Sequence, residues 1–216
     1  METLLRSDPI ETPVSGSAAP GSPPRGAALT ALGASLEASI PGIAGHLRRV
    51  ASYAAAAARE LELPCAEVER VRRAAAIHDI GKVEMPPGLV NKPGALSPAE
   101  FAIVKRHAHA GARLAERFGQ ADLAPIVRHH HERFDGDGYP DGLAGERIPL
   151  GARIVAVADT FDAATSSRPY RAAMAEREAL SLLWSEAGGQ FDPRVVAGFC
   201  AYYSGPSGSL RRALAR

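Results

Sequence analysis

From Ala27 onward, apolar residues recur at spacings of three and four, while the strict alternation of a half-buried strand is weak throughout. The pattern predicts an all-α fold, a single bundle of short helices. Pro41-Gly42 separates a first helix from a longer one over residues 43–63, where His46, Val50, Tyr53 and Ala57 share a face. Pro64 ends that segment, and a third helix over residues 66–80 carries Val68, Val71, Ala75 and His78 in register. Residues 81–93 read as loop, with Pro86-Pro87 expected to prevent a helix and Asn91-Lys92-Pro93-Gly94 to form a turn.

Ser97-Pro98-Ala99-Glu100 combines an N-cap, a proline at the first helical position and a capping-box glutamate, so a helix starts there and runs to about Phe118-Gly119. Another is predicted over residues 123–132, followed by a polar loop to Pro149 with Gly136, Gly138, Gly142 and Gly145. Residues 152–165, 176–187 and 192–203 complete the set, the last capped by Asp192 with Pro193 behind it.

Composition refines the boundaries. Residues 1–25 hold Pro9, Pro13, Pro20, Pro23 and Pro24 among Gly and Ser, too little apolar surface to offset chain entropy, and read as a disordered tail. Residues 26–205 form the folded domain, and residues 206–216 a frayed end. With 216 residues, 46% hydrophobic and 23% charged, one ordinary domain is expected, without room for a separate sensor module. Lys and Arg number 25 against 24 Asp and Glu, a formal net charge of +1, so no global field favours a nucleic-acid polymer or an anionic membrane. No run reaches the ~20 apolar residues of a membrane span. The N-terminus lacks a secretory signal pattern, and a cytoplasmic location is expected. Cys65 and Cys200 make no disulfide framework or Cys-x-x-Cys site and are read as small core residues.

All seven histidines, His46, His78, His107, His109, His129, His130 and His131, fall between positions 46 and 131. A lone histidine on an apolar face, such as His46, is more often a hydrogen-bonded core residue than a ligand. His129-His130-His131 reads equally as a solvated helix end, and His109 faces away from His107 and belongs at the surface. Together, however, histidines from several helices with Asp79 beside His78 match the way a bundle builds an interior metal site. Imidazole and carboxylate without thiolate suit iron, manganese or zinc, and one bridging aspartate can serve two ions that share a hydroxide and clamp a phosphoryl group.

The ordered series is His78-Asp79-Ile80-Gly81-Lys82, His107 after Lys105-Arg106, His130-His131-Glu132-Arg133-Phe134-Asp135-Gly136-Asp137-Gly138-Tyr139-Pro140, Ala158-Asp159, and Ser167-Arg168-Pro169-Tyr170-Arg171. With Asn91-Lys92-Pro93-Gly94 and Gln190-Phe191-Asp192-Pro193, it closely resembles the HD-GYP family, bacterial cyclic di-GMP phosphodiesterases of the HD metallohydrolase superfamily. The likeness covers residues 30–200.

That resemblance implies two divalent ions, iron or manganese first, with zinc, nickel and magnesium as alternatives. Their ligands would be His46, His78, Asp79, His107, His130, His131 and Asp159, with Asp79 bridging. Lys82 would contact phosphate and share the catalytic role with Asp79; Arg168 and Arg171 would hold phosphate or guanine, and Tyr139 the substrate. The implied reaction opens cyclic di-GMP to pGpG, with pGpG and GMP as alternative end products, and a diguanylate cyclase or sensor protein acting in trans as partner. Alternatives are a metal-retaining sensor or interaction module, or a phosphohydrolase of another nucleotide. Glu132 is expected to orient a histidine, while Asp135 and Asp162 read as a turn-former and a helix-facing partner. Gly42 stands where some members carry an acidic ligand to a third metal, and Ile40 and Ile43 replace polar family residues, so a three-metal centre is not expected.

Overall fold

The computed structural model describes residues 25–167 and 172–204. Nine α-helices follow one another among them: α1 (Arg25–Ser39), α2 (Ile43–Glu60), α3 (Cys65–Ile77), α4 (Pro87–Val90), α5 (Pro98–Arg117), α6 (Ala124–His129), α7 (Leu150–Thr165), α8 (Glu176–Ser185) and α9 (Pro193–Ser204). Short 3-10 segments lie at Ile80–Glu84 and Gly145–Arg147. No strand occurs among the described residues; a lone bridge joins Ala187 and Phe191. The expected tails at residues 1–25 and 206–216 lie outside the described residues except for Arg25, which opens α1, and Arg168 and Arg171 lie outside them as well.

Helix α2 is central because one flank is almost all alanine. Ala54, Ala55, Ala57 and Ala58 are buried, and such small side chains let α3, α7 and α9 approach its backbone closely. Around them close Val155, Phe161, Leu183, Phe191, Val195 and Phe199. Tyr53 meets Phe161 edge-on with ring centroids 5.4 Å apart, extending the aromatic cluster toward α9. A second cluster of Leu36, Ile43, Leu47, Ile80 and Leu114 ties the start of α2 to the 3-10 segment after α3 and to α5. This packing explains the apolar residues before His46: Ile43 is core, and Ile40 packs against the same cluster.

Several expected boundaries move. Helix α3 stops at Ile77 rather than residue 80, and α6 at His129 rather than residue 132. Residues 81–93 are not all loop, and the proline pair does not forbid a helix there. Pro87 occupies a first-turn position of α4, where a missing N–H costs nothing. The capping box of α5 forms as expected, with the Glu100 N–H donating to Ser97 Oγ at 3.3 Å and the Ser97 N–H to Glu100 Oε2 at 2.7 Å. Asp192 Oδ1 accepts from the Arg194 N–H at 2.8 Å and caps α9. Cys200 is buried, but Cys65 is exposed at the start of α3, contrary to its reading as a core residue.

Candidate metal centre

His78 follows the last residue of α3 and His130 the last residue of α6, and in both places a helix leaves backbone carbonyls without partners. Each imidazole uses one. His78 Nδ1 lies 2.7 Å from the Ala75 carbonyl and His130 Nδ1 2.7 Å from that of Val127. Within α5, His107 Nδ1 lies 2.6 Å from the Val104 carbonyl. A carbonyl only accepts, so all three rings carry a proton on Nδ1, which leaves Nε2 as the atom able to offer a lone pair.

Those lone pairs converge around Asp79, the residue between α3 and the 3-10 segment. Ligand atoms of Asp79, His107, His130 and His131 lie within 4.8 Å of one another, as do those of His46, His78 and Asp79. Asp79 belongs to both groups. Its Oδ1 is 3.4 Å from His107 Nε2, and its Oδ2 is 3.6 Å from His78 Nε2 and 3.9 Å from His46 Nε2. Asp159, on α7, places Oδ1 3.3 Å from His46 Nε2 and 3.9 Å from His78 Nε2. Every ligand position expected from the sequence is therefore gathered at one place.

The convergence depends on a close backbone approach. A Cβ on Gly81 would lie 2.0 Å from the His107 carbonyl oxygen and 2.5 Å from the Gly111 nitrogen. Only glycine lets the 3-10 segment sit on α5 tightly enough to bring Asp79 to His107.

The donor set fits metal ions. His78 Nε2 and Asp79 Oδ1 are buried without a hydrogen-bond partner, and His107 Nε2 faces His130 Nε2 at 3.4 Å, two lone pairs pointing at each other. Such an arrangement is costly unless a cation lies among them. The protonation states agree. Burial pushes His107, His130 and His131 toward neutrality, His131 to about 3. Burial works against ionised Asp79, but the Lys82 ammonium outweighs it and holds the carboxyl well below its usual range. Asp159 is likewise opposed by burial and lowered to about 2, chiefly by its hydrogen bond with His46.

Beside this cluster, Lys82 Nζ donates to Asp79 Oδ2 at 2.6 Å. Tyr139 stacks on His131 with centroids 4.9 Å apart, its N–H donating to the His131 carbonyl at 3.2 Å. Glu132 does not orient a histidine as expected. Its buried carboxylate accepts the N–H groups of Asp141 at 2.7 Å and Leu143 at 3.2 Å, pinning the loop that carries Tyr139. Gly138 permits that loop to close, since a Cβ there would lie 2.2 Å from the Arg133 nitrogen. Asp135 accepts the Asp137 N–H at 3.1 Å, the turn-former anticipated. His109 is exposed, against Arg128. His129 with Glu132 and Asp141 forms a third cluster, but Arg128 and the loop N–H groups occupy its carboxylates.

Sequence reasoning undervalued Asp162. Fully buried on α7, it accepts from His46 Nδ1 at 2.8 Å and from Arg49 at 2.6 and 3.0 Å. The available signal was matched spacing: His46 and Arg49 are three apart on α2, and Asp159 and Asp162 three apart on α7.

A family profile described as HD domain matches residues 32–195, and the chain belongs to that family. It is 44% identical over 172 residues to the cyclic di-GMP phosphodiesterase response regulator RpfG of Xanthomonas campestris, covering 78% of this chain and 45% of that protein. It is 44% identical over 156 residues to the cyclic di-GMP phosphodiesterase PA4108 of Pseudomonas aeruginosa, covering 71% and 37%. A Vibrio cholerae relative named 3'3'-cGAMP-specific phosphodiesterase 3 is 39% identical over 170 residues, covering 78% and 37%. The chain thus spans less than half the length of these curated relatives. Among solved structures, the fold resembles Bd1817, a HDG"Y"P protein from Bdellovibrio bacteriovorus, with TM-score 0.62 at 23% identity, covering 76% of this chain and 53% of that one. No described helix is long and apolar enough to cross a membrane.

Proposed function

We propose that this chain is a metal-dependent phosphodiesterase that opens cyclic di-GMP to pGpG, with pGpG or GMP as the end product. The observation that supports this most directly is the set of Nδ1-anchored histidines whose Nε2 atoms surround Asp79. In this reading His46, His78, Asp79 and Asp159 hold one divalent ion and Asp79, His107, His130 and His131 the other, iron or manganese in either place. Bound ions of this kind supply Lewis-acid stabilisation of phosphoryl oxygens and a water acidic enough to ionise near neutral pH.

The protein's own groups divide the remaining tasks. Neutral imidazoles leave the ions' charge uncancelled except by Asp79 and Asp159, so a phosphodiester anion meets a net positive site despite the chain's balanced charge. Lys82, held beside the cluster by Asp79, neutralises charge on the phosphoryl oxygens as a fixed cation. Tyr139, held in place by its stack on His131, contacts the nucleotide. Arg168 and Arg171 are proposed phosphate or guanine contacts on chemistry alone, since a guanidinium offers a bidentate fork. Two free thiols, Cys65 exposed, fit a reducing, cytoplasmic setting.

A second reading, favoured by the 39% identical relative named for 3'3'-cGAMP, is that the mixed dinucleotide is the better substrate. The test is anaerobic incubation of iron- or manganese-loaded protein with each cyclic dinucleotide and chromatography of the products. Faster conversion of cyclic di-GMP supports the first reading, and faster conversion of 3'3'-cGAMP replaces it with the second.

A further inference from the structure

Three large apolar side chains are more than a third exposed among the described residues: Phe101 at 44%, Leu182 at 37% and Trp184 at 50%. Leu182 and Trp184 lie on α8. Phe101 lies on α5, belongs to none of the three core clusters, and touches the candidate site. Its ring meets that of Tyr139 edge-on, centroids 6.1 Å apart, and Tyr139 in turn stacks on His131. Lys105, one helical turn along α5, holds its Nζ 4.9 Å from the Phe101 centroid and 5.2 Å from that of Tyr139.

Core packing does not account for an exposed phenyl ring held by a cation at the rim of a buried cluster. Resting on the phosphodiesterase reading above, we infer that Phe101 is a stacking platform for one guanine of the substrate, with Lys105 as the residue that positions it. The ring lies two aromatic contacts out from His131 and keeps a solvent-facing surface. A purine offers a π-face to that surface, and guanine also presents the N7 and O6 acceptor edge, which suits the Lys105 ammonium at the same rim. Burying an exposed aromatic on substrate binding also recovers hydrophobic energy that the free protein forgoes.

The test is steady-state turnover of cyclic di-GMP by the metal-loaded chain and by Phe101→Ala, Phe101→Leu and Phe101→Trp, with metal content measured for each. Stacking is made equally in ground and transition states, so its loss raises KM far more than it lowers kcat. The expected KM increase for Phe101→Ala is about 10- to 100-fold, the usual effect of removing a base platform. Phe101→Leu, which restores apolar volume but no ring, stays near the alanine value, and Phe101→Trp returns toward the unsubstituted protein. An unchanged KM in Phe101→Ala, or full restoration by leucine, overturns the platform and leaves the phosphodiesterase reading intact. No turnover by the unsubstituted chain with its metals bound overturns that reading, and the platform with it.

Discussion

His46 and Asp162 are 116 residues apart in sequence and 2.8 Å apart in the fold, Nδ1 against Oδ2, on helices α2 and α7. This contact fixes the ring so that Nε2 points at Asp79 and Asp159. Arg49 closes the arrangement, binding Asp162 through two nitrogens from one turn further along α2. Asp162 thereby acts on a proposed ligand without belonging to either metal-binding group.

Substituting Asp162→Asn preserves shape but removes the charge that holds both His46 and Arg49. Outer partners of ligating histidines typically contribute 10- to 100-fold in metal affinity, and a loss in about that range is expected here. Competition with a metal chelator measures it. An unchanged affinity would show that His46 needs no anchor.

The same histidine links metal binding to pH. Burial opposes the charged ring, but hydrogen bonds to Asp159 and Asp162 raise its pKa to about 9 in the metal-free protein. A ligand must be neutral at Nε2, so below that pH binding expels a proton from His46, and apparent affinity rises as pH approaches about 9. His131, held near 3 by burial, is already neutral and contributes no such release. Titration calorimetry in buffers of different ionisation enthalpy should find close to one proton released by His46 at about pH 7.5, in addition to that of metal-bound water, an excess that fades above about pH 9.5. Equal heats in all buffers at neutral pH would contradict this.

Gly81→Ala tests the close approach behind the site. The added Cβ meets backbone atoms, which cannot rotate away, so the 3-10 segment must lift from α5. A destabilisation of about 3 kcal/mol is expected, a fall in Tm of roughly 10 °C for a domain of this size, together with lost metal because Asp79 moves from His107. A variant with unchanged Tm and metal content would show that the contact is dispensable.

What could be read from the chain divides along local and non-local lines. The α5 start was legible because its determinants, Ser97, Pro98 and Glu100, lie within one turn. The residues gathered around Asp79 were legible as a set because their ordered motifs resemble a known family, whereas His46 or Asp159 alone announces nothing. The ends of α3 and α6 were not. Apolar periodicity runs on past both, and the helices stop where the rings of His78 and His130 take the carbonyls at Ala75 and Val127 and the chain turns toward Asp79. Glu132 was misread for a related reason: its partners are backbone N–H groups of Asp141 and Leu143, which no side-chain pattern announces. Cys65 was placed in the core by its type, whereas its position at the first turn of α3 faces solvent.

In the proposed function the constellation around Asp79 both holds the metal and hydrolyses the dinucleotide. The most direct test compares the metal-loaded chain with its His78→Ala, Asp79→Ala double variant, measuring bound metal and the product formed from cyclic di-GMP side by side. Two ions per chain and pGpG or GMP are expected from the unsubstituted protein, and neither full occupancy nor product from the variant. Turnover retained by the variant, or none by an unsubstituted protein carrying both ions, would contradict it.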